Sequence, residues 1–493
     1  MRYLFFCLFF VVSFGVFGQD TFLKTFDFAG NWEEATGVVR ANGGYIIVGG
    51  GGLAGSNSLY AVRLLKVDEE GNELWRKLYV KDYVSWGTSQ AGLIRSSDGN
   101  YVFTGGHRDT IDYTWHGLYG KFDENGDTLW LKVDPWEQST NIIGVTEAAD
   151  GGYLFTGRAV DTLNLSVQLY LLRTDIDGNV IWFRTYGGLG YDMGIWSANT
   201  PDGGFITGGF YGSNPSQSSD GWLLRVDAEG EVVWSKTYGG VNNDCGVAIR
   251  SLGGDTYLMN HCIDSIASGS SVSQIYRYIS KIDGNGNTLW KSYYAENHPW
   301  SPETASLRIL EDGSAVIVGR IVRLGWGQGV WVIKFSAEGQ ELWHRNYLTV
   351  NGNEENKYAI DFTKAHDGGL VLVGRIGDGG DDMMVLKLDS MGCFTSGCDS
   401  VATSSETLFG DEGGLVVYPS PFEEEFRLEG LVPFGKEGRV VVRDMLGRVL
   451  LDGGLVRGKF MEEVDSSSWG EGLYVVSLFV EGRVLFSRKV LKR

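Results

Sequence analysis

The sequence predicts an all-β protein: seven copies of a four-stranded unit closed into a ring, followed by a small β-sandwich. Two recurring signatures and one compositional excess carry that prediction. The first signature is a Gly-x-x-hydrophobic-Trp run, with tryptophan at 75, 130, 182, 234, 290 and 343, spaced by 55, 52, 52, 56 and 53 residues. At its clearest it reads DGNVIWFRTYGG (177–188) and EGEVVWSKTYGG (229–240). The second is a glycine turn followed by an apolar run, as in NGGYIIVGG (42–50), DGNYVFTGG (98–106), DGGYLFTGR (150–158) and DGGLVLVGR (367–375), and it occurs seven times. The excess is glycine, 72 of 493 residues, roughly twice the usual share. With 16 Trp and only 8 Pro, that composition suits many short strands joined by tight turns rather than a disordered or collagen-like chain.

Each period accommodates four strands. In one unit they are expected at 193–200, 205–210, 222–227 and 232–238, with the short turns PDGG and DAEGE closing hairpins. Runs such as YLFTG and WLLRV do not alternate, as expected of strands covered on both faces. No helical periodicity appears, so a helical solenoid is excluded, and four-stranded repeats of this length point to a β-propeller. Glycine near the start of the first strand (Gly37, Gly92, Gly144, Gly194 and Gly246, with Ser306 and Ile360 in units six and seven) marks that strand as innermost, where backbones crowd the axis. The tryptophan strand is then outermost. Seven glycine turns meet only six tryptophan motifs, because the last unit ends at VLKLDSMGC (385–393) without an outer strand. The stretch TFLKTFDFAG (21–30) matches VWSKTYGG in register and supplies the missing strand, closing seven blades and removing an open edge.

The repeat resembles those of bacterial secreted propellers with a D-x-x-G-N-x-x-W hairpin, and also the quinoprotein-type repeat whose tryptophan docks between blades. The resemblance spans about residues 20–398 and implies fold rather than activity.

The two ends of the chain suggest a destination. Residues 1–18 hold Arg2, an apolar run from Tyr3 to Phe17 and a small residue at the end. They are expected to be a secretory signal peptide cleaved after Gly18. No later stretch approaches the ~20 apolar residues of a membrane span. The propeller is expected over 19–398 and a polar linker over 399–414. Residues 415–493 resemble the C-terminal sorting domain of the type IX secretion system. Tyr418, Pro419 and Pro421 match its Tyr-Pro-Asn-Pro opening, with Ser420 replacing Asn. Asp444, Leu446, Gly447 and Arg448 match its Asp-x-Leu-Gly-Arg turn. Gly472 and Tyr474 match its Gly-x-Tyr strand, and Lys489 and Lys492 its basic end. The resemblance implies passage to the cell surface, or release, in a Gram-negative bacterium, with the secretion machinery as partner.

A net charge of −20 disfavours nucleic acid. Four cysteines remain after signal removal, and an even number in an oxidising compartment suggests disulfides. Cys245 and Cys262 flank the turn at 253–255 symmetrically, which places them on paired strands within disulfide range, and Cys393 pairs locally with Cys398. No metal site or cofactor is expected: the turns DIDGN (175–179) and DGNGN (283–287) lack the spacing of a calcium loop and are read as hairpins. No nucleophile elbow, P-loop or zinc motif is present.

In a four-stranded meander the second-to-third and fourth-to-first connections share one face, and here they are the long ones. They hold Trp86, His107, Asp109, Tyr113, Trp115, His116, Trp136, Tyr211, Trp300 and Trp326. Aromatics mixed with polar groups on a rigid scaffold suit stacking and hydrogen bonding to a glycan or protein ligand. The competing reading is that each ring packs beneath its own loop. The expectation is a surface or secreted binding module. The alternatives are a polysaccharide-acting hydrolase or lyase using carboxylates on the long-loop face, and a structural element of a larger assembly.

Overall fold

The computed structural model describes residues 21–28, 33–52, 60–79, 92–108, 114–164, 166–212, 219–239, 244–266, 273–295, 303–323, 327–347, 357–377, 382–394, 414–418, 422, 424–431, 437–444, 447–456, 459–480 and 483–492. All regular structure among them is strand. Seven antiparallel four-stranded sheets follow one another along the chain; six are simple meanders with their strands in sequence order, and the seventh takes its outer strand from the start of the chain. Blade 4 is representative, with strands Met193–Asn199, Phe205–Gly212, Ser219–Val226 and Val232–Tyr238. Its bounds fall close to the sequence expectation.

The first strand of each blade neighbours the first strand of the next, from Glu33–Ala41 in blade 1 to Lys357–Lys364 in blade 7 and back again. These strands surround the axis. The fourth strands carry the exposed pattern, as in Glu73–Tyr79 and Val232–Tyr238. Apolar clusters lie between successive blades rather than in one central core: Val39, Ile46 and Leu64 of blade 1 pack with Leu93, Tyr101 and Phe122 of blade 2. Blades 7 and 1 share such a cluster too, built from Val38, Ile47, Val373 and Val385.

Closure follows the expected route. Phe22–Phe26 pairs antiparallel with Asp382–Leu388, Phe22 opposite Lys387 and Phe26 opposite Met383, making the sheet of blade 7 four-stranded. The Thr21 hydroxyl donates to the Phe394 carbonyl at 2.7 Å, fastening the start of the ring to its end.

The duplicated twelve residues acquire a physical reason here. The outer-strand aromatic of each blade lies over the turn between the third and fourth strands of the next. A Cβ on Gly126 would meet the Trp75 ring at 2.8 Å, one on Gly178 the Trp130 ring at 3.1 Å, and one on Gly392 the Trp343 ring at 2.6 Å. Trp182 and Trp234 also donate from Nε1 to the carbonyls of Ala228 and Gly284, each at 2.9 Å. At the closure Phe22 takes the tryptophan place, 2.5 Å from a Cβ on Gly71. The aromatic and the glycine must therefore recur together, since each ring needs a turn without a side chain in the neighbouring blade.

The glycine pattern of the first strands needs correction. Strand pairing sets Gly37 opposite Val48 and Gly144 opposite Thr156. The matching positions of blades 4, 6 and 7 are Trp196, Ser306 and Asp361, and in blade 5 Ala248. Gly194 lies one rung earlier, opposite Gly209, and Gly246 precedes its strand. A bulge in most first strands, skipping Thr36, Ile143, Ile195, Ala305 and Ile360, inserts the extra residue that shifts the count. Gly144 does meet the expected crowding, for a Cβ there would run into the Ile195 carbonyl of blade 4.

Beyond the ring, Gly414–Tyr418, Glu425–Leu431 and Lys459–Asp465 form a three-stranded sheet, and Val449–Val456, Gly438–Asp444, Gly472–Val480 and Arg483–Lys492 a four-stranded one. Phe426 and Leu428 of the first join Val440, Val442, Val476 and Leu478 of the second in one buried cluster. The motif residues have local roles. Asp444 caps its turn, accepting from the Arg448 amide at 2.9 Å and its Nε at 2.6 Å, while Gly447 has a φ of 83°. Tyr474 donates to the Gly470 carbonyl, and the Lys492 ammonium donates to the carbonyls of Ser466 and Trp469 at 2.6 and 2.9 Å. Pro419 and Pro421 lie outside the described residues, as do the side chains of Tyr418 and Lys489.

Candidate functional site

The long-loop face is best described at the junction of blades 2 and 3. There the third strand of blade 2, Trp115–Phe122, starts beside the crossover into Thr140–Glu147 of blade 3. Its pairing with Tyr101–Arg108 sets His116 opposite His107 and Trp115 opposite Arg108. Trp115 and His116 are half-buried at the strand mouth. The Trp115 amide donates to Ser139 Oγ at 3.2 Å, and His116 Nε2 lies 2.9 Å from Thr114 Oγ1.

Behind them sits Asp134, 5 % exposed, which the sequence reading did not single out. Its oxygens accept from the Gly117 and Trp136 amides and from the Thr140 hydroxyl. Burial raises its pKa, while those hydrogen bonds and the nearby His116 charge pull it back down. Such a carboxyl ties the crossover to Gly117, the residue next to His116. Its signal in sequence is slight, a single Asp before Pro135 where most units carry a tyrosine.

Two other expected residues, also half-buried, pack against aromatic rings. Trp136 stands edge-on to Tyr170 and Phe183 of blade 3, with ring centroids 5.8 and 5.7 Å away. Tyr211 lies against Trp222 at 5.2 Å. Trp86, Asp109, Tyr113, Trp300 and Trp326 lie outside the described residues, as does the side chain of His107.

Carboxylates at other blade junctions behave like Asp134. Asp192, fully buried, accepts from the Gly188 and Gly212 amides, each at 2.8 Å, and burial raises its pKa against those two bonds. Glu33 Oε2 accepts from the Phe28 amide at 2.7 Å, and its Oε1 lies 3.3 Å from the buried Arg63 guanidinium. Asp27, Glu33 and Asp382 each bring one oxygen within 4.8 Å of the others, where blades 7 and 1 meet. Arg63 and Arg76 stand beside that trio, the latter donating to the Asp27 carbonyl at 2.7 Å, so two cations already offset its charge. The two loops weighed as calcium sites are hairpin turns: Asp175 Oδ1 accepts from the amides of Asp177 and Asn179, and Asp283 Oδ1 from those of Asn285 and Asn287.

In the structure Cys245, just ahead of the strand Ala248–Gly253, and Cys262 are joined with Cα atoms 5.1 Å apart. Cys393 is buried and disulfide-bonded, and Cys398 lies outside the described residues.

No protein-family model matches the chain, and no curated protein matches it in sequence. Solved propeller structures are similar at low identity. The WD40 domain of Pan2 from Neurospora crassa is 11% identical, covering 73% of this chain and 89% of its own, with a TM-score of 0.41. The propeller domain of the Trilobed protease from Pyrococcus furiosus is 10% identical, covering 76% and 99%, with a TM-score of 0.43. An α-L-arabinanase from Penicillium chrysogenum, solved with arabinobiose, is 11% identical, covering 62% and 94%, with a TM-score of 0.41. At those values the likenesses say nothing of activity. The strand pairing itself defines the class, a closed seven-bladed β-propeller.

Proposed function

We propose that the chain is an exported propeller that binds an extracellular glycan or protein through its long-loop face, and that residues 415–493 form a type IX sorting domain that directs it to the cell surface. The observation that carries the binding reading is how the carboxylates of that face are occupied. Asp134, Asp192 and Glu33 all accept backbone amides at blade junctions, a recurrence expected of structural staples. A hydrolase of the paired-carboxylate type needs one acid and one base free to reach the substrate. Trp115 and His116 are hydrogen-bonded to Ser139 and Thr114 with part of their surface open, which suits stacking and hydrogen bonding to a ligand.

The sorting reading rests on the ordered motif series from Tyr418 to Lys492. The enzyme reading keeps one observation, the Asp27, Glu33 and Asp382 trio. A glycan and protein-ligand array probed with the mature chain, residues 19–493, separates the two. Saturable binding that weakens at least tenfold in Trp115→Ala, with the ligand recovered intact, supports a binding module. Ligand cleavage that is lost in Asp382→Asn supports the enzyme.

A further inference from the structure

The residues that face the axis contain a charge imbalance. In the first strands the position after the bulge and the one two residues on both face the next blade: Ser306 reaches Asp361 of blade 7, and Thr146 reaches Ser197 of blade 4. At these positions blade 5 carries Arg250, blade 6 Ser306 and Arg308, and blade 7 Asp361. Asp361 is 1 % exposed and fully engaged. Its Oδ1 accepts from Ser306 Oγ at 2.8 Å and Arg308 Nε at 3.3 Å, its Oδ2 from Arg308 Nη2 at 2.6 Å and the Val38 amide at 3.1 Å. Four donors fill the roughly four acceptor sites of a carboxylate.

Arg250 is left over. It donates from Nη1 to the Ile249 carbonyl at 2.8 Å, and among the described residues no carboxylate bonds to it. Burial, and then the like charge of Arg308, lower its pKa to about 10, with Asp361 countering in part. Four other buried cations of this ring have carboxylates: Lys66 with Glu124, Lys121 with Asp98, Arg173 with Asp150, Lys387 with Asp367. A chain with a net charge of −20 does not lack acids, so two arginines sharing one carboxylate at its centre is a specific arrangement.

Arg250 and Arg308 keep part of their surface open, while the flanking Ile249 and Leu307 are fully buried. The first strands that carry them surround the axis. At the short-turn mouth, one residue further along the first strands, stand Arg40, Arg95 and Lys364, with Glu147 as the matching acid and Glu311 bound to Lys364 at 2.8 Å. That rim favours entry of anions.

We propose that the axis of the ring, at Arg250 and Arg308, is a binding site for a small oxyanion, a sulfate, phosphate or carboxylate group. The Arg250 N–H groups not held by the Ile249 carbonyl would bind two oxygens of one group, and the anion would balance the second arginine as Asp361 balances the first. The site is independent of the long-loop face and of the binding reading attached to it.

The test is calorimetric titration of the mature chain, residues 19–493, with sodium sulfate, sodium phosphate and sodium acetate, chloride holding the ionic strength constant. The expected result is saturable 1:1 binding of at least one of the three, the preferred probe telling a tetrahedral from a planar group. Affinity should fall tenfold or more in Arg250→Gln, fall less in Arg250→Lys, and be unchanged in the surface variant Lys77→Gln. Circular dichroism establishes that each variant is folded. Should Arg250→Gln fail to fold, Arg250→Lys with its weaker binding carries the comparison. Absence of saturable binding by all three anions overturns the proposal, as does equal affinity in a folded Arg250 variant.

Discussion

Replacing Asp361 by alanine should weaken the ring where its two ends meet. Asp361 belongs to blade 7, receives Arg308 and Ser306 from blade 6, and receives the Val38 amide from blade 1, so one carboxylate joins three blades across the closure. Arg308 Nη2 also donates to the Val38 carbonyl at 3.3 Å. Removing the acid leaves Arg308 and Arg250 as neighbouring uncompensated cations. Breaking one side of a buried pair costs about 3–5 kcal/mol, and with a urea m-value of about 3 kcal/mol/M or more for a large domain, the midpoint should drop by roughly 1 M. The assay is equilibrium urea unfolding followed by tryptophan fluorescence. Arg308→Met combined with Asp361→Leu removes both partners and should lose less than Asp361→Ala alone, because no newly unpaired pair-member remains. A midpoint for Asp361→Ala within about 0.2 M of the parent would refute the reasoning, since it would mean the axial pair contributes nothing to closure.

Three further outcomes are expected. Gly126→Ala, where φ is 76° and the Trp75 ring lies 2.8 Å from the new Cβ, should cost about 1–3 kcal/mol; Gly99→Ala, with φ 87° and nothing within 4 Å, should cost less, and thermal melts that rank them the other way would contradict the ring-over-turn contact. His261 is buried with its pKa lowered to about 3 by burial and then by Lys291, so it resists protonation in the fold. The stability that this contributes is fully present above pH 6.5 and is lost as pH falls toward 3, by about 2–3 kcal/mol at pH 4.5; His261→Phe should flatten that limb of the stability profile, and superimposable profiles would exclude the effect. Removing residues 415–493 should leave the propeller's melting temperature unchanged and prevent surface display in a type IX-competent host, and surface display of the shortened chain would refute the sorting proposal.

Much of the ring was legible because its rules are local. The Trp75-to-Trp343 spacing marks outer strands, the glycine turns mark the hairpins, and the orphaned 385–393 end against the matching 21–30 start predicts closure. The first-strand glycines were harder to read. A bulged residue is invisible to counting, so Ile360 was placed where Asp361 belongs. That single-residue shift hid the axial charges, because Arg250, Arg308 and Asp361 lie 58 and 53 positions apart and only register brings them together. The site suffered from a different ambiguity. Trp136, Tyr211, Trp115 and His116 look alike in sequence, and all four are half-buried in the fold, so only their neighbours tell them apart: Trp136 meets Tyr170 and Phe183 of blade 3, Tyr211 meets Trp222 of its own blade, and Trp115 and His116 stand at the strand mouth.

The central structural claim, a ring closed by its own N-terminal strand, is tested most directly by scanning calorimetry of residues 29–493 beside residues 19–493. The deletion removes the Phe22–Phe26 pairing with Asp382–Leu388, the Phe22 contact over Gly71 and the buried Phe26. Two phenylalanines account for about 1.5–3 kcal/mol each, before the newly opened sheet edge is counted. The account predicts that the propeller transition of the shortened chain moves several degrees lower or loses its cooperativity. A transition at the parent temperature would contradict it, for blade 7 would then stand complete without the strand assigned to it.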